Sequence, residues 1–384
     1  MVNGSVRRVY SRRKQTQSNP KTTIFGSKPA HFCAKWDEQM SVLITHLRQP
    51  DWVCYGTKQE QLICNGFPMA RNKVQFQKGM SEAQFDKLYG SETLCHAALV
   101  NWRWPEGFQC PDCEGRAHCI VTRGGRTLYQ CNACRKQTSV KAGTIFASSK
   151  LPLRLWFKAM YHLTQSKNGV SSLELGRRLG VTQTTAWTLK HKLAQVMIER
   201  NATKRLKGDV QLDDAYLGGR RSGTSGRGAE GKTPFVAAVS LTSDGKPDRI
   251  ALRRVENFSK TAIAGLARAA LEAGAHVLSD GFRSFPAVTE AGCAHTPVKT
   301  GSGAKAAKNP RFKWVNTLLG NIKAAMVGTY RAVRAKHAPR YLAEFEYRFN
   351  RRYRLEILID RLAYVSLRTA PMPYKLLKLA DLYA

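Results

Sequence analysis

Hydrophobic and polar positions follow two different periods along the chain, and the change of period divides it. From Met80 to about Asn101 the spacing is helical. SEAQFDKLYG opens with Ser81 as a candidate N-cap and Gln84 three residues on, the pairing of a capping box. Ser91 with Leu94, Ala98 and Leu99 predicts a second short helix. Residues 153–198 are helical again. LRLWFKAMYHLTQ places Leu155, Ala159 and Leu163 on one stripe. Leu173 to Leu179 predict a short helix that Gly180 breaks, and Thr182 caps a further helix carrying Ala186, Leu189 and Leu193. Beyond residue 208 the period shortens. GDVQLDDAYLGG, TPFVAAVSL and RIALRRVEN read as strands, SKTAIAGLARAALEAG as a capped amphipathic helix, and HVLSDG as a short buried strand ending on an acid. Three strands, a helix and a strand predict an α/β domain, a mixed sheet with helices packed on it. RRSGTSGRGAEGK and TGSGAKAAKNPRFK read as flexible basic loops, the second followed by a helix from about Val315 to Lys336. Residues 1–79 follow neither period. The first thirty are polar and basic and are expected to be disordered.

Charge narrows the function classes. Lys and Arg number 62 against 27 Asp and Glu, a formal net charge of +35 on 384 residues. Such an excess suits a polyanionic partner, because each phosphate neutralised releases a counterion; the bland alternative is a solvated basic surface. No stretch approaches the ~20 apolar residues that span a bilayer, so no membrane partner is expected. The N-terminus lacks the apolar region of a secretory signal, although its basic, acid-poor text also suits a transit peptide. Of the ten cysteines, four fall in two tight pairs, which favours metal binding in a reducing cytoplasm over disulfides.

Cys110-Pro-Asp-Cys113 and Cys131-Asn-Ala-Cys134 have the spacing of a structural Zn²⁺ site. RGGRTLYQ between them reads as a hairpin turning at Gly124-Gly125, with Tyr129 on the return strand. The module is a zinc ribbon, with Cys119 outside the pattern as a small core residue. The helix, Gly-containing turn and helix of residues 173–198 form a helix-turn-helix pattern that places Gln183, Thr184 and Thr185 where base edges would be read and Arg177 and Lys190 on phosphates. A plain helical hairpin in a core gives the same pattern. In RYLAEFEYRFNRRYR, Tyr341, Phe345 and Phe349 share one stripe and Arg348 and Arg352 another. DNA contact by the arginines and a solvated basic face over an aromatic core stripe are equally open.

Asp213 lies within the first predicted strand and Asp280 ends the buried one. A lone strand-end Asp is usually a turn residue. Two such acids in a basic chain with DNA-binding modules instead suggest ligands for divalent cations that act on phosphate.

The ordered run of KLYGSETLCHAAL, WRWPEGFQCPDC, YQCNACRKQTSVKAGTIF, LDDAYLGG, LSDG, NTLLGNIKAAMVGTYRAV and RYLAEFEYRFNRR resembles the DDE-type bacterial transposases of the insertion-sequence 1595 family, over roughly residues 80–352. The resemblance implies a zinc ribbon, a helix-turn-helix region and an RNase H-like catalytic domain. It also implies Mg²⁺-dependent cutting and joining at the ends of the protein's own element, with two Mg²⁺ ions (Mn²⁺ an acceptable substitute). The family's strand acid aligns with Asp213, which makes Asp214 the weaker candidate. The family's third carboxylate, usually Glu with Lys seven residues on, falls on Asn316 and Lys323. Part of the family is similar in carrying Asn there. An Asn carbonyl is a legitimate hard-metal ligand, and seven residues are about two helical turns, which sets Lys323 on the same face, suited to a phosphate. Asn316 acting only as a helix cap is the bland alternative, with Glu344 and Glu346 as runner-up carboxylates.

The expected organisation is a poorly ordered extension over 1–79, which reads as either an over-extended frame or an appendage; a helical lead-in and zinc ribbon over 80–145; a helix-turn-helix region over 146–200; an RNase H-like domain over 208–352; and a tail over 353–384. The expected partner is double-stranded DNA, both terminal inverted repeats and target. Pairing two ends calls for a homodimer or larger assembly, in the cytoplasm on nucleoid DNA. A stand-alone RNase H-like nuclease and a DNA-binding regulator of the same fold are the rival readings.

Overall fold

The computed structural model describes residues 78–218, 231–299, 309–330 and 333–380. The expectations for residues 1–77 and for most of the two basic loops lie outside the described residues. Two helices lead in, α1 (Glu82–Tyr89) and α2 (Glu92–Arg103). Ser81 and Gln84 close the capping box on α1, and Ser91 caps α2 by accepting from the Leu94 amide. A small antiparallel sheet follows: β1 (His118–Arg123), β2 (Arg126–Cys131) and the short β3 (Gln137–Thr138). Gly124 and Gly125 turn between β1 and β2 with φ of 56° and 70°, the left-handed pair that a two-residue hairpin requires.

Helices α3 (Leu153–Gln165), α4 (Ser172–Leu179) and α5 (Gln183–Ala202) come next. Gly180 ends α4 with φ 66°, and the Thr182 hydroxyl accepts from the Thr185 amide to start α5. A Cβ at Gly176 would lie 3.0 Å from the Val181 carbonyl oxygen and 3.6 Å from Ala186. Glycine there lets α4 and α5 approach closely.

The second layer is a five-stranded sheet of β4 (Asp209–Leu217), β5 (Thr233–Leu241), β6 (Pro247–Arg254), β7 (His276–Asp280) and β8 (Ala294–Val298), in spatial order 6-5-4-7-8. β4, β5 and β6 pair antiparallel; β4–β7 and β7–β8 pair parallel. The parallel step needs a crossover, supplied by α6 (Lys260–Ala270). Val210, Leu212, Val236 and Ala238 face α6 with Ile263 and Ala267. Ala215, Leu217, Phe235 and Leu252 face α7 (Lys313–Ala325) and α8 (Ala338–Phe349). Counted from its own first strand, this order is 3-2-1-4-5, the RNase H-like arrangement.

Two expectations change here. The helix expected to run from about Val315 to Lys336 ends at Ala325 and loosens into a π-helical turn, Met326–Tyr330. The segment expected to be a tail forms α9 (Leu358–Ser366) and α10 (Tyr374–Leu379). Leu358, Ile359, Leu362 and Leu377 are buried with Trp156, Phe157, Leu193 and Met197. Their short apolar run is a helix face that completes the core of α1–α5.

Candidate functional site

The four paired cysteines converge. Each Cys-x-x-Cys turn has the same form: the Glu114 amide donates to the Cys110 carbonyl (3.0 Å) and the Arg135 amide to the Cys131 carbonyl (3.0 Å). Glu114 and Arg135 both take left-handed backbones, φ 60° and 61°, which curls each turn around its sulfurs. The four Sγ atoms lie within 4.8 Å of one another, with Cys110–Cys134 and Cys113–Cys131 each 3.5 Å apart. A tetrahedral zinc with Zn–S bonds of about 2.3 Å sets sulfurs about 3.8 Å apart, so the donor set fits zinc. The Cys113 and Asp112 amides draw the Cys110 thiol down, and the Cys134 amide draws Cys131 down to about 7. Both shifts favour the ligating thiolates, while at Cys134 the downward pull of the Lys136 amide is outweighed by the neighbouring sulfurs, Cys113 first, which push it up to about 12. A Cβ at Gly115 would lie 3.2 Å from Cys131 Sγ and 3.4 Å from Cys113 Sγ. Gly115 therefore keeps the cradle open, a role that spacing alone does not reveal. Trp104, Phe108 and Tyr129 support the cluster from below. Cys119, expected in the core, is exposed, on a strand where only His118 and Val121 are half-buried.

The second cluster sits where the middle of β4 meets the end of β7, the two central strands. In the parallel β4–β7 register Leu212 pairs with Ser279, so Asp213 and Asp280 are the next neighbours along. Their carboxylates and that of Asp214 come within 4.8 Å of one another, all half-buried. Asp214, the weaker candidate, is thus brought in with them. Asp213 Oδ1 accepts from the Asp214 amide (2.9 Å) and Asp280 Oδ1 from the Phe282 amide (3.1 Å). Three carboxylates so close repel when ionised, and a divalent cation with oxygen ligands relieves that repulsion.

What joins α7 to this cluster is Gln211, a residue that sequence reasoning passed over. It shares a strand face with Asp213 by the two-residue alternation, and it is buried. Its Oε1 accepts from the amides of Trp314 (3.1 Å) and Val315 (3.0 Å). Those are orphan donors of the first turn of α7, so Gln211 satisfies the helix start, the role that the bland alternative gave to Asn316. The N-cap position itself is Phe312. Asn316 follows Val315, half-buried, and Lys323 lies exposed two turns on.

The DNA-reading candidates divide. Arg177, Gln183 and Thr184 are exposed at the α4–α5 turn. Thr185 is half-buried, its hydroxyl 2.9 Å from that of Thr182. Lys190, Arg348 and Arg352, expected on DNA, are all buried and are corrected here. Lys190 Nζ lies 2.9 Å from Glu344 Oε2 and donates to the Tyr330 hydroxyl at 2.9 Å. Arg348 donates to Glu344 Oε1 (2.7 Å) and to the Leu163 carbonyl (3.0 Å). Arg352 donates to the carbonyls of Asp248 (2.9 Å) and Pro247 (2.5 Å). These cations tie helices and strand ends together inside the protein. Against the cost of burial, Lys190 and Arg348 hold the Glu344 carboxyl below its usual range. Glu346 pairs with Arg253 (2.7 Å) and accepts from the Leu252 amide (2.9 Å). Neither glutamate joins the aspartates.

A mixed sheet with acids side by side on adjacent central strands, preceded by a four-cysteine ribbon, defines an RNase H-like protein of the zinc-ribbon kind. Residues 90–137 match the transposase zinc-ribbon domain and residues 205–350 the ISXO2-like transposase domain. The chain belongs to the insertion-sequence 1595 transposase family. It is 27% identical over 144 residues to the uncharacterized protein in transposable element ISH50 of Halobacterium salinarum, covering 37% of this chain and 46% of that protein. The chain thus spans about half the length of that relative. Among solved structures it is similar to the Mos1 transposase paired-end complex with left transposon end (12% identity, TM-score 0.21, 56% of this chain and 79% of that one). It is also similar to the Mos1 strand transfer complex (13%, TM-score 0.20, 51% and 76%). A likeness that loose carries no argument. Among the described residues, no helix is long and apolar enough to cross a membrane.

Proposed function

We propose that this protein is the transposase of an insertion sequence: it binds the terminal inverted repeats of its element and catalyses Mg²⁺-dependent DNA cleavage and strand transfer. The observation that carries this reading is the meeting of Asp213 and Asp280 on adjacent parallel strands, beside a helix whose start is pinned to the same strand by Gln211. Asp213, Asp280 and Asn316 would hold two Mg²⁺ ions, for which Mn²⁺ is an acceptable substitute, with Asp214 close enough to assist. The chemistry such ions would supply, when bound, is activation of the attacking oxygen and stabilisation of the leaving one. The residues of the chain do the rest. Asn316 contributes a neutral carbonyl, which keeps the ligand set at lower charge than three acids. Lys323 reaches a phosphate of the DNA end. Arg177 anchors the backbone, and Gln183, Thr184 and Thr185 approach base edges. Zn²⁺ holds Cys110, Cys113, Cys131 and Cys134 as a folding unit. Two ends are paired by a homodimer or larger assembly in the cytoplasm.

The test is a Mg²⁺ titration of cleavage and joining on DNA carrying the element's ends. Asp213→Ala and Asp280→Ala abolish cleavage with end binding unchanged. Asn316→Ala impairs it in a way that added Mg²⁺ partly restores, and Asn316→Glu supports it at lower Mg²⁺. Lys323→Ala impairs it without rescue by metal. Wild-type rates for Asn316→Ala at every Mg²⁺ level would remove Asn316 from the ligand set. Cleavage without joining would make the protein a nuclease instead, and end binding without cleavage a regulator.

A further inference from the structure

The aspartates have a cleft on one side that nothing in the proposed reaction uses. It measures about 640 Å³, inside the range of about 300–1,000 Å³ usual for small-ligand sites. Tyr216 and Phe282 line it, both half-buried, with Phe258 between them and α6. The Tyr216 and Phe258 rings meet edge to face at 5.3 Å. Lys232, Lys260 and Arg283 stand around it against a single acid, Glu256.

Its position gives it meaning. Tyr216 follows Asp214 by two residues on β4 and so shares its strand face, the face packed on α6. Phe282 is bound to Asp280 through its amide, 3.1 Å from Oδ1. Gln211 and α7 lie on the opposite face. The carboxylates therefore stand between α7 on one flank and this aromatic, basic cleft on the other.

We infer that the cleft is a binding site for one unpaired nucleotide of the DNA strand whose phosphate lies at Asp213 and Asp280. A paired base shows only its edges, whereas an unpaired base offers a face to Tyr216 or Phe282. Lys260 and Arg283 supply charge for the flanking phosphates. This rests on the transposase reading and deepens it: the substrate at the site is DNA locally opened, with the nucleotide beside the reacting phosphate out of the stack.

The probe is a forked duplex with one unpaired 2-aminopurine at the junction, compared with the same duplex fully paired, in metal-chelator-free buffer without Mg²⁺. Wild-type protein quenches the unpaired 2-aminopurine and binds the fork more tightly than the paired duplex. Tyr216→Ala with Phe282→Ala lowers that preference roughly tenfold, the scale of one lost base stack. Lys260→Ala with Arg283→Ala, changes at exposed positions that leave the fold intact, lowers it as well. A second measurement needs no variant. With 5-iodouracil at the junction, ultraviolet crosslinking of the wild-type protein labels Tyr216, Phe258 or Phe282. If the fork binds but crosslinks only to peptides outside the cleft, the inference is overturned while the transposase reading stands. If neither DNA binds, the reading falls and the inference with it.

Discussion

Replacing Glu344 with Gln tests whether the basic residues of α5 and α8 serve the interior rather than DNA. Glu344 is 1% exposed and Lys190 2% exposed. The carboxylate meets Lys190 at 2.9 Å and Arg348 at 2.7 Å, and its Oε1 also accepts from the Tyr330 hydroxyl at 3.0 Å. Gln keeps the shape but removes the only anion of the group, and its amide nitrogen turns a donor toward a cation. Breaking a buried pair from one side costs about 3–5 kcal/mol, because a charge is left uncompensated. Here two cations are left, so the upper part of that range is expected, about 4–5 kcal/mol. At about 2–4 °C per kcal/mol for a domain of this size, the midpoint falls by roughly 8–20 °C. Urea unfolding followed by tryptophan fluorescence reads the loss as a lower midpoint at unchanged slope. Lys190→Met in the same background removes one of the stranded cations, so the double variant loses less than the sum of the singles. A loss below about 1 kcal/mol for Glu344→Gln, the scale of an exposed ion pair, would refute the reasoning.

Three further outcomes follow from other parts of the molecule. Cys131→Ser abolishes tight zinc binding and unfolds the ribbon around residues 105–140, leaving the five-stranded sheet in place, because structural metal supplies the folding free energy of such a module; a metal assay and protease mapping check this. His191 is buried with its ring stacked on Trp187 at 4.0 Å, and burial pushes it down to about 2. Its folded pKa lies below the unfolded value of about 6.5, so the unfolded chain takes up the proton first and stability falls as pH drops below about 6.5. Each pH unit costs about 1.4 kcal/mol there, and His191→Phe flattens that slope in unfolding measured between pH 7.5 and 5. Finally, Arg177→Ala weakens binding to cognate and random DNA alike while Gln183→Ala and Thr184→Ala change sequence preference, read by competition binding at fixed salt.

The parts legible in the sequence are those set by local chemistry. The cysteine turns, the hairpin at Gly124-Gly125, the caps at Ser81 and Thr182, and the alternation around Asp213 each depend on neighbours a few residues away. What was not legible depends on distant partners. Lys190 and Arg348 carry the same basic pattern as a phosphate-binding face, and only the packing of α8 on α5, which sets Lys190 against the Glu344–Arg348 pair, makes them internal. Gln211 reads as an ordinary polar position until α7 sets two amides against it. Asp214 alternates onto the other strand face, yet its carboxylate comes within 4.8 Å of those of Asp213 and Asp280. The text after Arg352 looked like a tail because Leu358, Ile359, Leu362 and Leu377 have no partner nearby in sequence; their partners lie on α3 and α5.

The central claim is that Asp213 and Asp280, with Asn316 from α7, hold divalent cations. Crystals soaked in Mn²⁺ and measured for anomalous scattering test it without requiring the element's end sequence. A peak is expected between Asp213 and Asp280 at about 2.0–2.2 Å from their oxygens, the range of a small hard cation, with the Asn316 carbonyl oxygen in the shell. The peak is lost from Asp280→Ala crystals. Absence of any peak at the aspartates under saturating Mn²⁺, or a peak whose ligands exclude both Asp213 and Asn316, would contradict it.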